Sequence, residues 1–392
     1  TPTIGAYQPT PELTGTAQTL NLSGGSAASF YLSPDGTLLN IWQNSSTPGA
    51  GTPTQSVSIA TLSSVQIVAG SGSSLTVNLS SGDSLGTLPI VFSGQSGGTL
   101  TVIGTDQTDT MQLTSSALTV DGTPISYSGV SSIAINAGTG TATVTQTQQP
   151  TASVNISGSG ADLLVVQSGV YTFNGAIAAT NLTVDDEASV VFTASSGSGI
   201  TARQLAMLNI SSGATAEVGP ASVHTNRLLL ELGGLVVAST GQLDLQNNDM
   251  LIHNGNISQI TGLLAEGRDG SSAWKGYGID SSAVAGDSTG LLALGAILNV
   301  TATGSPLYGS GTSLGLFDGI NAAATDVLVK YTYVGDANLD GKVDGSDYNR
   351  VDNGYLLNLT GWANGDFNYD GSVDGNDYSM IDDADAGQGN QL

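Results

Sequence analysis

Cysteine is absent from this 392-residue chain, which excludes disulfides, thiolate metal sites and cysteine nucleophiles. Basic residues are few: seven Lys and Arg stand against 32 Asp and Glu, a net charge of −25, and none precedes Arg203. That balance excludes electrostatic binding to nucleic acid or to an anionic membrane surface, since both are polyanions. It leaves soluble cations as the natural partners. No apolar run reaches the roughly 20 residues of a membrane span. The opening TPTIGAYQPT lacks the basic end and apolar stretch of a signal peptide and reads as a mature terminus left by cleavage. Helical periodicity is scarce before residue 330, where TARQLAML at 201–208 is the best helix candidate.

Short apolar/polar alternation is abundant. LTVNL at 75–79, IAINA at 133–137 and ADLLVV at 161–166 place every second side chain on one face, the period of half-buried strands. Turn signals punctuate them at Asp35-Gly36, Asp121-Gly122, Asn174-Gly175 and Asn254-Gly255. An internal repeat is visible: LSSVQIVAGSGSSLTV at 62–77 matches VSSIAINAGTGTATV at 130–144. Gly-x-Gly pairs recur at Gly70, Gly138 and Gly158. A unit of about 20–23 residues fits one coil of a β-solenoid, whose coils bury their apolar faces only by stacking. The expected fold is therefore mostly β, a β-solenoid or a rod of stacked β-sandwiches, ending in a small helical module. Its expected divisions are an extended segment at 1–14, a β-repeat region at 15–257, a small β domain or cap at 258–333, and a terminal module at 334–392. The region from about Ser258, with ISQITGLLAEGRDGSSAWKGYGIDSS, LLALGAILNV and TDVLVKYTYV, is read as strands that close the rod or form a small β domain.

The terminal module holds the strongest motif. GDANLDGKVDGSDYNRVDNGY at 335–355 is followed, 30 residues on, by GDFNYDGSVDGNDYSMIDDAD at 365–385. A calcium loop of 12 residues offers oxygens from positions 1, 3, 5, 7, 9 and 12, with a sharp turn at a Gly in position 6. The first copy supplies Asp336, Asn338, Asp340, Lys342, Asp344 and Asp347, with Gly341 at the turn; the second supplies Asp366, Asn368, Asp370, Ser372, Asp374 and Asp377, with Gly371. Position 7 gives a backbone carbonyl, so Lys342 and Ser372 are both suitable. Carboxylates crowded in this way repel one another unless they share a cation, so two Ca²⁺ sites are expected. Position 12 is Asp where Glu is usual, which brings the following segment closer to the ion.

These residues resemble a type I dockerin, a pair of calcium loops each followed by a helix. Tyr348, Val351 and Tyr355 after the first loop, and Tyr378 and Ile381 after the second, keep helical spacing. In that family, loop positions 10 and 11 help recognise a partner module, cohesin. Here they are Gly345-Ser346 and Gly375-Asn376 instead of the usual hydroxyl-bearing pair, a departure that argues against cohesin as partner. The segment from GQLDLQNNDMLI at 241 through LVKYTYVGDANLDG resembles large bacterial secreted proteins with autotransporter-like β repeats and a terminal dockerin-like module, and GTDQTDTMQL to GVSSIAINAGTGTATV, 104–144, resembles their β-repeat regions. The resemblance implies a secreted or cell-surface location and a structural role.

Other features carry less. SGSGADLLV at 157–165 approaches a calcium-binding nonapeptide, but such sites need tandem copies and the equivalent turn has Ala142, so a tight turn is expected. His224 and His253 lack any zinc or nucleophile motif around them and read as packed or surface residues. Asp185-Asp186-Glu187 reads as a solvated turn, since adjacent strand residues face opposite ways and cannot form the paired carboxylates of a glycosidase. The expected function is non-enzymatic: a calcium-stabilised subunit of an extracellular filament or surface layer that self-associates. The alternatives are a polysaccharide-active enzyme anchored by the module, or an adhesin for carbohydrate or a cohesin-like partner.

Overall fold

The computed structural model describes residues 17–32, 37–43, 51–80, 85, 87–136, 141–148, 150–157, 163–166, 170–173, 180–185, 188–193, 199–269 and 274–392. The extended segment at 1–14, the turns at Asp35-Gly36 and Asn174-Gly175, the Gly138 and Gly158 corners with the nonapeptide-like turn, and Asp186-Glu187 lie outside them. The fold is mostly β. The chain divides into two compact units, Thr1–Leu164 and Val165–Leu392, so the division falls within the expected β-repeat region.

In the first unit the alternation becomes parallel, in-register ladders. Leu20, Ile67, Phe92 and Tyr127 stand on successive strands as direct partners. So do Leu75, Leu100, Ile133 and Val154, and beside them Phe30, Val77, Val102 and Ile135. All twelve are buried. A parallel strand cannot bury its apolar face alone, so like residues stacked on like supply the core. The sequence step between direct partners varies: 21 residues from Ile133 to Val154, 25 from Ile67 to Phe92 and 33 from Leu100 to Ile133. The 20–23 expected from the glycine spacing is therefore one step among several.

The repeated sequences do not occupy equivalent places. Val65 of the first copy pairs with Ile90, whereas its counterpart Ile133 pairs with Leu100 and Val154. The shared pattern encodes a generic strand and corner, and the connecting lengths decide where each copy lands. Gly70 marks such a corner: a Cβ there would lie 2.5 Å from the Gly24 nitrogen, so only glycine lets the two turns stack. Asp121 and Gly122, both at positive φ, close the antiparallel hairpin between Ala117–Val120 and Thr123–Asn136, as an Asp-Gly pair favours.

The second unit has parallel ladders of its own: Leu182, Leu208 and Leu235; Leu205, Leu232 and Ile252; and Val190, Ala216, Leu243 and Ile279. TARQLAML lies in the strand Thr201–Ile210, not a helix. Its residues favour helix locally, but the parallel partners Leu228–Leu232 and Thr180–Val184 override that preference, and a register shift at Ala206 absorbs the break in alternation. The ladder ends in antiparallel pairing. Asp249–Ile252 pairs with Val327–Tyr333, and that strand pairs along its whole length with Leu292–Leu298.

Residues 258–268 are helical, which corrects the strand reading of this segment. The helix Ile257–Arg268 is capped by Asn256, whose side chain accepts from the Ser258 and Gln259 amides, and it ends at Asp269 in the left-handed conformation. Ile260 and Leu264 form its buried face. Two glycines disguise it in the sequence. Gly267 is required because a Cβ there would meet the Ile279 carbonyl oxygen at 1.8 Å. Of the two histidines, His224 lies in a short 3-10 turn. His253 bridges Glu231 (2.9 Å) and Asp326 (3.2 Å).

Burial disfavours the His253 charge, but the two carboxylates outweigh it and raise the pKa above the ordinary histidine value. The stabilisation is therefore full below pH about 6.5 and is lost as pH rises through the raised value. Thermal melts between pH 5.5 and 8.5 should show a modest decline over that window. The decline should be flattened by His253→Gln.

Candidate metal centre

The two acidic loops adopt the same backbone and side-chain pattern. Each opens with a buried carboxylate, Asp336 or Asp366, and turns at position 4 through a left-handed non-glycine residue, Leu339 (φ 64°) or Tyr369 (φ 58°). Gly341 (φ 89°) and Gly371 (φ 88°) follow at position 6, where a side chain would be strained. Asn338 and Asn368 each accept from the amide two residues on, Asp340 or Asp370, at 2.8 Å. Each loop then runs into a helix, Gly345–Leu357 or Gly375–Gly387, through a reciprocal capping box made by Asp344 with Asp347 or Asp374 with Asp377. Asp347 and Asp377 reach back under their loops. They accept from the amides of Ala337 and Phe367, at 2.9 Å in both loops.

The first oxygens are disposed differently in the two copies. In the first loop Asp336 Oδ1 accepts from the Asp340 amide (3.0 Å), and Oδ2 accepts from the Gly341 amide (2.8 Å) and the Thr332 hydroxyl. In the second, Asp366 Oδ2 accepts from the Gly361 amide (3.1 Å), while Oδ1 is buried with no hydrogen-bond donor. Among the described residues, no three His, Cys, Asp or Glu side chains are gathered closely enough to hold a metal by themselves. The donor sets of the loops are mixed: Asp carboxylates, the Asn338 and Asn368 amide oxygens, and the backbone carbonyls of Lys342 and Ser372. Oxygen-only sets of this kind suit a hard divalent cation. The orphaned Asp366 Oδ1 fits one too, because a buried carboxylate oxygen without a donor is costly unless something positive faces it.

The electrostatics agree. Burial raises Asp336 to about 7 and Asp347 to about 6, with the neighbouring carboxylates adding to it, and it raises Asp366 and Asp377 in the same direction. Without a cation these loops hold carboxylates that resist ionisation; a bound divalent ion would restore the charge. Outside the buried floor, Asp344 is held down at about 2 by Lys342 Nζ, 2.8 Å away, and by the Ser346 amide. Asp340, Lys342 and Asp344 lie at the rim of the first loop, and Asp370, Ser372 and Asp374 at the rim of the second.

The loops are also gripped from behind, by contacts that leave no mark in the sequence. Trp362 Nε1 donates to the Asp336 carbonyl (2.7 Å), Tyr308 Oη to that of Asn338 (3.2 Å) and Lys330 Nζ to that of Leu339 (3.0 Å). In the second loop Arg268 donates to the Asn368 carbonyl (2.9 Å), and Tyr369 Oη donates to Leu294 (2.7 Å). The helices are pinned as a pair: Tyr348 donates to Asp382 and Tyr378 to Asp352, each at 2.7 Å. Val351 and Ile381 are buried beneath them. Comparison with known proteins finds no matching family model, no matching curated protein and no matching solved structure.

Proposed function

We propose that this chain is a non-enzymatic, calcium-stabilised structural protein of the extracellular space, a subunit that self-associates into a filament or surface layer. In this reading the parallel ladders are the coils of a β-solenoid and the paired loops form a dockerin-like module binding two Ca²⁺. The observation that carries it is the duplicated loop, with the same oxygen donors, the same positive-φ turns and the same buried Asp at positions 1 and 12. An acidic, cysteine-free chain gains from divalent cations the fastening that disulfides give other secreted proteins. Tyr355, Leu356, Leu357 and Leu359 are exposed in a run without charged residues from Asn353 to Gly365. Such a patch suits contact between like-charged copies, since an apolar surface of this kind rarely stays uncovered.

Electron microscopy of the purified full chain tests the reading. Filaments or sheets are expected in Ca²⁺, dispersing when a chelator is added. Dispersed single molecules under both conditions would reject self-association, and a polymer indifferent to the chelator would reject calcium as its fastener.

A further inference from the structure

Two of the chain's seven basic residues are spent against the backs of the candidate cation loops. Lys330 and Arg268 are both mostly buried, at 7% and 9% exposure. Lys330 sits in the Val327–Tyr333 strand directly opposite Gly295, and the missing side chain there leaves room for Trp362. Its ammonium reaches the Leu339 carbonyl, and its charge acts on Asp336 as well as on Asp249 and Asp318. Arg268 ends its helix, where the dipole favours a cation, and reaches the Asn368 carbonyl. Its charge acts on Asp366, Asp370 and Asp377, three of the second loop's expected ligands. The carbonyls they hold are at positions 4 and 3, not the position 7 carbonyl expected to meet the ion.

We propose that Lys330 and Arg268 are built-in counter-charges that weaken cation binding at the loops beside them, and so set the sites for a high ambient concentration of a hard divalent cation. The inference rests on the cation reading of the loops. A fixed positive charge next to a carboxylate cluster does two things. It tempers the repulsion when no ion is bound, which protects the empty fold. It also repels the incoming ion, which lowers affinity. The sites are thereby placed toward the weak end, in the range of about 10⁻⁴–10⁻³ M typical of extracellular calcium modules.

The test uses the full chain, stripped by chelator and titrated with Tb³⁺ by luminescence sensitised through Trp362 and Tyr369. Wild type is compared with Lys330→Met, Arg268→Met and the charge-retaining Lys330→Arg and Arg268→Lys. Each neutral variant is expected to bind one of two ions roughly tenfold more tightly, while the charge-retaining variants bind like wild type. Ca²⁺ release from the loaded, folded protein, timed after mixing with excess chelator, gives a second readout that does not need the empty variant to fold. Release should slow in the neutral variants by a similar factor. If wild type binds two ions but the neutral variants bind and release them at least as weakly and as fast, the two residues are only structural and the proposal falls. If wild type takes up no ion, the cation reading falls with it.

Discussion

Removing divalent cations is expected to lower the melting temperature of the second unit by about 10 °C or more. A ligand present at 100 times its Kd stabilises the state that binds it by about 2.7 kcal/mol, so two such sites contribute about 5 kcal/mol. For a unit of this size each kcal/mol moves the midpoint by about 2–4 °C. The loops lie within Val165–Leu392, so the loss should be concentrated there. Hydrogen exchange read by mass spectrometry should show protection falling over the two loops and over Leu292–Leu298 and Val327–Tyr333, which the loops contact through Tyr369, Lys330 and Thr332. Exchange over Ser64–Ala69 and Ile90–Ile103 should not change. A chelated protein that melts at the same temperature would show that the loops fold and hold without an ion.

Trp362→Ala is expected to be the most damaging single substitution, at about 3–5 kcal/mol. The indole is buried at 1% exposure, stacks on Tyr369 with ring centroids 5.6 Å apart, and meets Phe367 edge-on at 5.0 Å. It lies against Gly295, where even a Cβ would fall 2.5 Å from the ring, and its Nε1 holds the Asp336 carbonyl. One side chain thus joins the first loop, the second loop and the Leu292–Leu298 strand. Its loss leaves a cavity and a buried carbonyl without its donor. Urea unfolding in saturating Ca²⁺ measures the change. Trp362→Phe keeps most of the packing and should recover more than half of it. A loss below about 1 kcal/mol would mean that the loops do not depend on this contact.

How much of this was legible beforehand follows from the range of the interactions. Strand alternation and the Asp121-Gly122 hairpin are local patterns and read directly. So do the loop turns at Gly341 and Gly371 and the capping boxes that follow them, because positions 1 to 12 lie within one short segment. The helix Ile257–Arg268 was hidden because Gly262 and Gly267 look like breakers, and the reason for Gly267 is a strand that arrives at Gly278–Asp280. TARQLAML misled in the opposite direction, since its strand state is imposed by partners about 26 residues away on either side. The grips of Lys330, Tyr308 and Arg268 on the loop carbonyls span 9, 30 and 100 residues. A lone basic residue in a strand or at a helix end carries no mark of such a target.

The most direct test is calorimetric titration of the chelator-stripped full chain with Ca²⁺. Two ions per chain are expected, falling to one in Asp336→Asn and one in Asp366→Asn, and to none in the double variant. No uptake by the wild-type chain, or uptake that survives the double substitution, would contradict the assignment of these two loops as the protein's cation sites.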